Sequence, residues 1–129
     1  MVVGQLSSDP DNARYNPEVQ EVSTLIRERC PAVIIIVNND GYLIERKLHQ
    51  DGAYNDIQMW NYAELPGAFS NNDFASGHKV TTEEELENAM QKAVVEKDKL
   101  ILIEAVLPNQ NCSAALEQLG TSFRQSQKK

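Results

Sequence analysis

The sequence predicts an α/β fold: a single layered domain with a small, mainly parallel sheet flanked by helices. Two apolar runs, 32–37 and 100–107, the second interrupted by Glu104, are rich in Ile, Val and Leu, and a largely continuous rather than alternating pattern marks strands covered on both faces. Segments with apolar residues at helical spacing lie before and between them, and the resulting order of helix, strand, helix, strand, helix, strand, helix favours parallel pairing through crossovers. At 129 residues the chain supports one domain with one core.

In chain order, residues 1–16 hold Val2 and Val3, then Gly4, Ser7, Ser8, Asp9-Pro10 and Asp11-Asn12, a turn-rich composition that predicts a loop or poorly ordered segment. Asn16 as N-cap and Pro17 at the first helical position open a helix over 17–29, with Val19, Val22, Leu25 and Ile26 on its inner face. The strand 32–37 ends in Asn38-Asn39-Asp40-Gly41, and a short helix over 42–48 follows, with Leu43 and Ile44 expected inside. The loop 49–60 carries Tyr54 and Trp60, aromatic rings that cap a core edge or line a binding surface. Ile57, Met59 and Trp60 belong to the core or to an apolar surface that a partner covers.

Asn61 caps a helix to about 69, His78 to Val80 form a short strand, and Thr82 with Glu85 is a capping box opening a helix to 96. Leu86, Ala89, Met90, Ala93 and Val94 make the inner stripe of that helix. The strand 100–107 contains Glu104, which needs a partner or an edge position because an unpaired buried carboxylate is costly. Ser113 caps a last helix with Ala114, Leu116, Leu119 and Phe123 inside; the domain spans 17–125 and residues 126–129 are a tail. Three strands make a narrow sheet whose exposed edges and faces predict a homo-oligomer.

Composition excludes several classes. Nineteen acidic residues against twelve basic ones leave a net charge of −7 and no basic stripe, so neither nucleic acid nor an anionic membrane is an expected partner. No apolar run is long enough to span a membrane and the first residues do not resemble a secretory leader, which predicts a cytoplasmic protein. Cys30 and Cys112 have neither Cys-x-x-Cys spacing nor a neighbouring His, and are read as ordinary thiols.

The chemistry is expected beyond the carboxyl end of the first apolar strand, where open α/β sheets bind ligands. Asn39 offers an amide oxygen, Gly41 a carbonyl that can be closely approached, and Glu45 a carboxylate, all hard donors suited to Mg2+. The same run also serves simply as a turn.

The residues Gln20-Glu-Val-Ser-Thr-x-Ile-Arg27, Asn38-Asn-Asp-Gly-Tyr-x-Ile-Glu45, His49, Tyr54-Asn-Asp-Ile57 and Trp60-Asn-Tyr62 resemble the C-terminal, diphosphate-binding domain of pyruvate and indolepyruvate decarboxylases, which are thiamine diphosphate enzymes. The resemblance covers about residues 17–125. It implies the thiamine diphosphate-binding fold, with Asn39 as a side-chain Mg2+ ligand, Gly41 as a carbonyl ligand and Glu45 as the carboxylate beside the reacting carbon. The family's Gly-Asp-Gly motif has no counterpart: in ungapped register it falls on Asp11-Asn12-Ala13, so the metal-binding aspartate becomes the neutral Asn12. Arg14 and Pro17 also depart from the pattern. Losing that anionic ligand, and the glycines that let a phosphate approach the backbone, predicts weak cofactor binding, with none held tightly. The family completes each active site with another domain that contacts the pyrimidine ring and carries an activating glutamate.

Three functional readings follow. In the first, the chain has lost tight cofactor binding and uses the old site for a small organic ligand, with Glu45, His49 and Tyr54 as acid/base groups for an isomerisation, cyclisation or decarboxylation. The second is a non-catalytic binding or regulatory subunit. The third is a split thiamine diphosphate-dependent 2-oxo acid decarboxylase subunit that needs a partner chain.

Overall fold

The computed structural model describes residues 2–4, 17–49, 52–53, 58–108 and 112–126. The elements are β1 (Val2–Gly4), α1 (Pro17–Arg27), β2 (Ala32–Asn38), α2 (Leu43–Leu48), a 3₁₀ turn (Tyr62–Glu64) running into α3 (Leu65–Phe69), β3 (Ala75–Val80), α4 (Glu83–Val95), β4 (Leu100–Val106) and α5 (Ala114–Ser126). Within the span read as one α/β domain, two compact units separate: Met1–Asn38 with Trp60–Val106, and Asn39–Met59 with Leu107–Lys129.

The first unit holds a parallel sheet in the order β1-β2-β4-β3. β4 lies inside, pairing with β2 from Ala32 opposite Leu100 to Asn38 opposite Val106, and with β3 from Ala75 opposite Leu100 to Val80 opposite Ala105. Leu100, Ile101, Leu102 and Ile103 are fully buried, each contributing roughly 1.5–3 kcal/mol of transfer free energy. Successive strand residues face opposite ways. Ile101 and Ile103 pack with Val80, Ala89 and Ala93 under α4, so Leu102 and Glu104 face the other side of the sheet, from which the 3₁₀ turn reaches Glu104.

Several expectations shift in this unit. Val2 to Gly4 form a strand paired with Ile34 to Ile36 rather than a loop, because β2 has a free edge that three extended residues can add to; residues 5–16 lie outside the described residues. β3 begins at Ala75, three residues early, since pairing with β4 outweighs the weak strand preference of Ala-Ser-Gly. α1 ends at Arg27 instead of 29. Arg29 adopts φ 51°, its N–H reaches the Ile26 carbonyl at 3.2 Å and the Cys30 N–H reaches that of Leu25 at 2.9 Å, a Schellman ending without its usual glycine. The Arg29 guanidinium then lies 5.8 Å from the centre of the Phe74 ring. The capping box at Thr82 and Glu85 forms as read, but Val94 is exposed because the buried stripe passes through Ala89 and Ala93 and has turned away by that position.

In the second unit α2 packs on α5, and Gly120 marks the closest approach. A Cβ there would stand 2.3 Å from the Lys47 carbonyl oxygen, which accepts a hydrogen bond from the Arg124 guanidinium. This backbone approach tilts the apolar positions outward, so Leu119 (56% exposed) and Ile44 (57% exposed) are not the inner residues expected from their spacing. Lys47 is ion-paired to Glu117 at 3.0 Å, and Glu117 accepts from the Cys112 thiol at 2.9 Å. Both cysteines are free. Among the described residues no helix is long and apolar enough to cross a membrane.

Gly77 in β3 is closely covered: a Cβ there would stand 1.8 Å from the Ala63 carbonyl oxygen. Gly77→Ala is therefore expected to lower unfolding free energy by about 1–3 kcal/mol or more, measured by urea denaturation.

Candidate functional site

The carboxyl end of β2 is held by a buried carboxylate. Glu104 is 1% exposed on an interior strand, so the edge position that would have relieved it is absent, and partners take its place. Asn38 Nδ2 donates to Glu104 Oε1 at 2.7 Å, the Ala63 backbone N–H donates to Oε2 at 3.2 Å, and Lys79 Nζ lies 3.8 Å from Oε1. Asn38, the 3₁₀ turn and β3 are thus tied to β4 by one side chain. Burial, and then the negative Glu104, push the neighbouring Tyr62 phenol above its ordinary range. Tyr62 is itself buried, and its ring lies 6.2 Å from that of the half-buried Trp60.

Spacing alone singled out Glu104 but not these partners. A signal was present: Ile36 pairs with Glu104, and Asn38 is two residues beyond on the same strand face. Lys79 lies directly opposite Glu104 in β3. Reading these required the strand order.

In the second unit the chain leaves Asn38 through a turn of two left-handed residues, Asp40 at φ 57° and Gly41 at φ 125°. Asp tolerates the first and glycine supplies the second, which is why this pair stands here. The Gly41 carbonyl accepts the Leu43 N–H at 3.1 Å as α2 begins. Asn39 is half-buried and Gly41 buried. Among the described residues no three His, Cys, Asp or Glu side chains gather into a metal site; the Asn39 amide and the Gly41 carbonyl at the turn are neutral oxygen donors, with the Asp40 carboxylate between them in the chain. Such donors fit a Mg2+ that takes most of its charge compensation from a diphosphate. Asn12, the remaining expected ligand, lies outside the described residues.

Glu45 and His49 meet as expected from their spacing: Nε2 of His49 is 3.5 Å from Oε2 of Glu45, one helical turn apart. The pair is open to solvent rather than desolvated, with side-chain exposures of 44% for His49 and 50% for Glu45, and the His49 ring meets Phe123 edge-on at 5.4 Å. Tyr54 and Ile57 lie outside the described residues.

Two measurements probe these placements. Gly41→Ala puts a Cβ on a residue at φ 125° and is expected to destabilise by about 1–3 kcal/mol, read from the thermal midpoint. For Tyr62 the folded phenol releases its proton later than the unfolded one, so its share of stability is full below about pH 10 and is lost as pH rises through the higher folded value. Tyr62→Phe should therefore lose less stability than the wild type between neutral and strongly alkaline pH in parallel urea titrations.

Comparison with known proteins adds a family. Residues 12–105 match the family described as "Thiamine pyrophosphate enzyme, C-terminal TPP binding domain"; thiamine pyrophosphate is another name for thiamine diphosphate. The chain is 40% identical over 102 residues to the alpha-keto-acid decarboxylase of Mycobacterium tuberculosis, covering 78% of this chain and 18% of that protein. The corresponding protein of Mycobacterium avium is 39% identical over 102 residues and that of Mycobacterium ulcerans 37% over 105, with the same coverages of 78% and 18%. The chain therefore spans about a fifth of the length of the curated relatives it matches (18%). With the parallel sheet, the strand-end turn and this match together, the chain belongs to the family of C-terminal TPP-binding domains of thiamine pyrophosphate enzymes.

Proposed function

We propose that this chain is the diphosphate- and Mg2+-holding portion of a thiamine diphosphate-dependent alpha-keto-acid decarboxylase, working with active-site polypeptide outside these 129 residues. The observation that carries the reading is the family match over residues 12–105, which runs through Asn12, Asn39, Gly41 and Glu45 and is accompanied by 40% identity to alpha-keto-acid decarboxylases. This favours the third of the readings drawn from the sequence over the first. When bound, thiamine diphosphate supplies the electron sink for cleaving a 2-oxo acid. The chain's own share is to hold Mg2+ through the Asn39 amide oxygen and the Gly41 carbonyl, and to hold or move a proton at the Glu45 carboxylate with His49 beside it and Tyr54 assisting. A homo-oligomer in the cytoplasm, with a small-molecule substrate as its ligand, is part of the same proposal.

A second reading keeps support from one observation. Asp11-Asn12-Ala13 stand where the family has Gly-Asp-Gly, removing an anionic metal ligand and adding a negative charge near the diphosphate. On that reading the cofactor has been given up, and Glu45, His49 and Tyr54 serve acid/base chemistry on another small organic ligand, or the chain only binds and regulates.

Calorimetric titration of the 129-residue protein with thiamine diphosphate, with and without Mg2+, separates the two. The proposal expects weak, Mg2+-dependent binding that the triple change Asp11→Gly, Asn12→Asp and Ala13→Gly tightens about tenfold or more. Absence of heat from both proteins would defeat the cofactor reading. Under the second reading Glu45→Gln should then slow turnover of whatever ligand is found by roughly 10²-fold, the share of a positioned acid or base.

A further inference from the structure

β3 is the outermost strand of the sheet in the order β1-β2-β4-β3, and among the described residues it pairs only with β4. Its residues alternate between the two faces, so Ser76, His78 and Val80 share one. His78 stands opposite Ile103 and Val80 opposite Ala105, and Ile103 and Val80 pack with Ala89 and Ala93 in the core beneath α4. An imidazole therefore sits on the seam where an edge strand meets its covering helix. It is half-buried, and its Nε2 lies 3.4 Å from Ser76 Oγ, the polar neighbour on the same face. The charges acting on it come from the α4 side: Lys92 opposes a proton there, and Glu96, the residue that ends the helix, favours one. Glu96 is already ion-paired with Lys99 at 3.5 Å. Glu85, at the other end of α4, is held in the capping box by Thr81 and Thr82, and Lys79 belongs to the opposite face, 3.8 Å from Glu104.

We propose that His78 makes the packing of β3 under α4 a pH-sensitive latch: the neutral imidazole fits the seam, and a proton on it loosens the edge strand and its helix while β2 keeps its pairing with β4. A cation confined in a largely apolar seam loses hydration, and gains in return only a carboxylate that Lys99 already occupies. Burial first, and then the Lys92 ammonium, hold His78 below its ordinary range against a smaller opposing pull from Glu96. The unfolded chain consequently binds this proton at higher pH than the folded one. The stability that His78 contributes is full above the unfolded value of about 6.5, and is lost as pH falls from there through the folded value. The loss falls on β3 and α4 first, because β3 is paired on one side only among the described residues whereas β4 is held on both. Gly77 and Lys79, on either side of His78 in the chain, meet the Ala63 backbone and Glu104, so the loosening also reaches the buried carboxylate. The latch does not depend on the cofactor.

The 129-residue protein and two variants test this. His78→Gln keeps hydrogen-bonding atoms in the seam and takes up no proton in mild acid. Lys92→Gln removes the opposing ammonium and leaves the histidine in place. The His78 imidazole, assigned through its backbone connectivities, is titrated by NMR. Hydrogen-exchange protection factors, which correct for the intrinsic pH dependence of exchange, are compared between the Ala89 and Ala93 amides of α4 and the β2 amides that bond to β4. The comparison runs from about pH 7.5 to about pH 5, which brackets the ordinary histidine range.

In the wild type His78 is expected to titrate below about 6.5, and acidification is expected to cost α4 at least about threefold more protection than β2. In His78→Gln that excess loss disappears. In Lys92→Gln the His78 midpoint rises toward the ordinary value and the excess loss shrinks. A wild-type midpoint at or above the ordinary value, equal losses in α4 and β2, or an excess loss that survives in His78→Gln would each overturn the latch. If His78→Gln does not fold, Lys92→Gln decides, since a midpoint and an excess loss that it leaves unmoved defeat the proposal.

Discussion

The first unit depends on one buried carboxylate. Glu104 stands on an interior strand with hardly any exposure, and nothing but its partners makes that tolerable. Removing one partner of such a group costs several times what a neutral hydrogen bond contributes, about 3–5 kcal/mol against about 1. The constraint spreads outward. Asn38 must end β2 on the same face, Ala63 must present its N–H from the 3₁₀ turn, and Gly77 must lack a side chain so that the Ala63 backbone can lie against β3. Tyr62 follows into the interior with its phenol kept neutral by burial and by the carboxylate. Four elements of the unit are therefore coupled through two oxygen atoms.

Family membership gives that coupling a context. The match over residues 12–105 includes the sheet's inner strands, the strand-end turn and α2, while the curated relatives are more than five times longer than their shared region, which is 18% of their length. On the proposed function, a portion of this kind contributes donors of a particular type rather than a whole reaction. At the turn the proposed donors are an amide and a carbonyl, uncharged oxygens whose hold on a divalent cation is weak unless a phosphate supplies the charge. Their geometry is set by backbone: two consecutive left-handed residues reverse the chain directly after β2, before α2 begins at Leu43.

The second unit is organised by backbone proximity more than by apolar spacing. Gly120 lets α5 come within contact of the Lys47 carbonyl, and Arg124 then hydrogen-bonds that same carbonyl. The Lys47–Glu117 pair adds charge at the same junction, with Lys47 only 13% exposed. Such a junction places Ile44 and Leu119 outward, and it brings Phe123 against His49 as an edge-to-face ring pair. The Glu45–His49 pair is consequently a solvated helix-surface pair within this unit, of the sort whose energy is small but whose geometry is well defined.

The sequence by itself determined the α/β class, the parallel inner strands 32–38 and 100–106 to within a residue, the capping box at Thr82 and Glu85, and the turn at Asn38 to Gly41, because each is a local matter of periodicity, capping or left-handed tolerance. It also marked Glu104 as a residue in need of partners, and Glu45 with His49 as neighbours on a helix. Only the tertiary structure decided who the partners are: Asn38 is 66 positions away from Glu104 in the chain and Ala63 is 41, and no local pattern relates residues across a crossover. β1 and the first half of β3 were illegible for the same reason, since Val-Val-Gly and Ala-Ser-Gly become strands by pairing with an existing edge rather than by their own preference. The outward placement of Ile44 and Leu119 likewise came from where neighbouring backbone allows approach, above all at Gly120, where the absence of a side chain decides the packing.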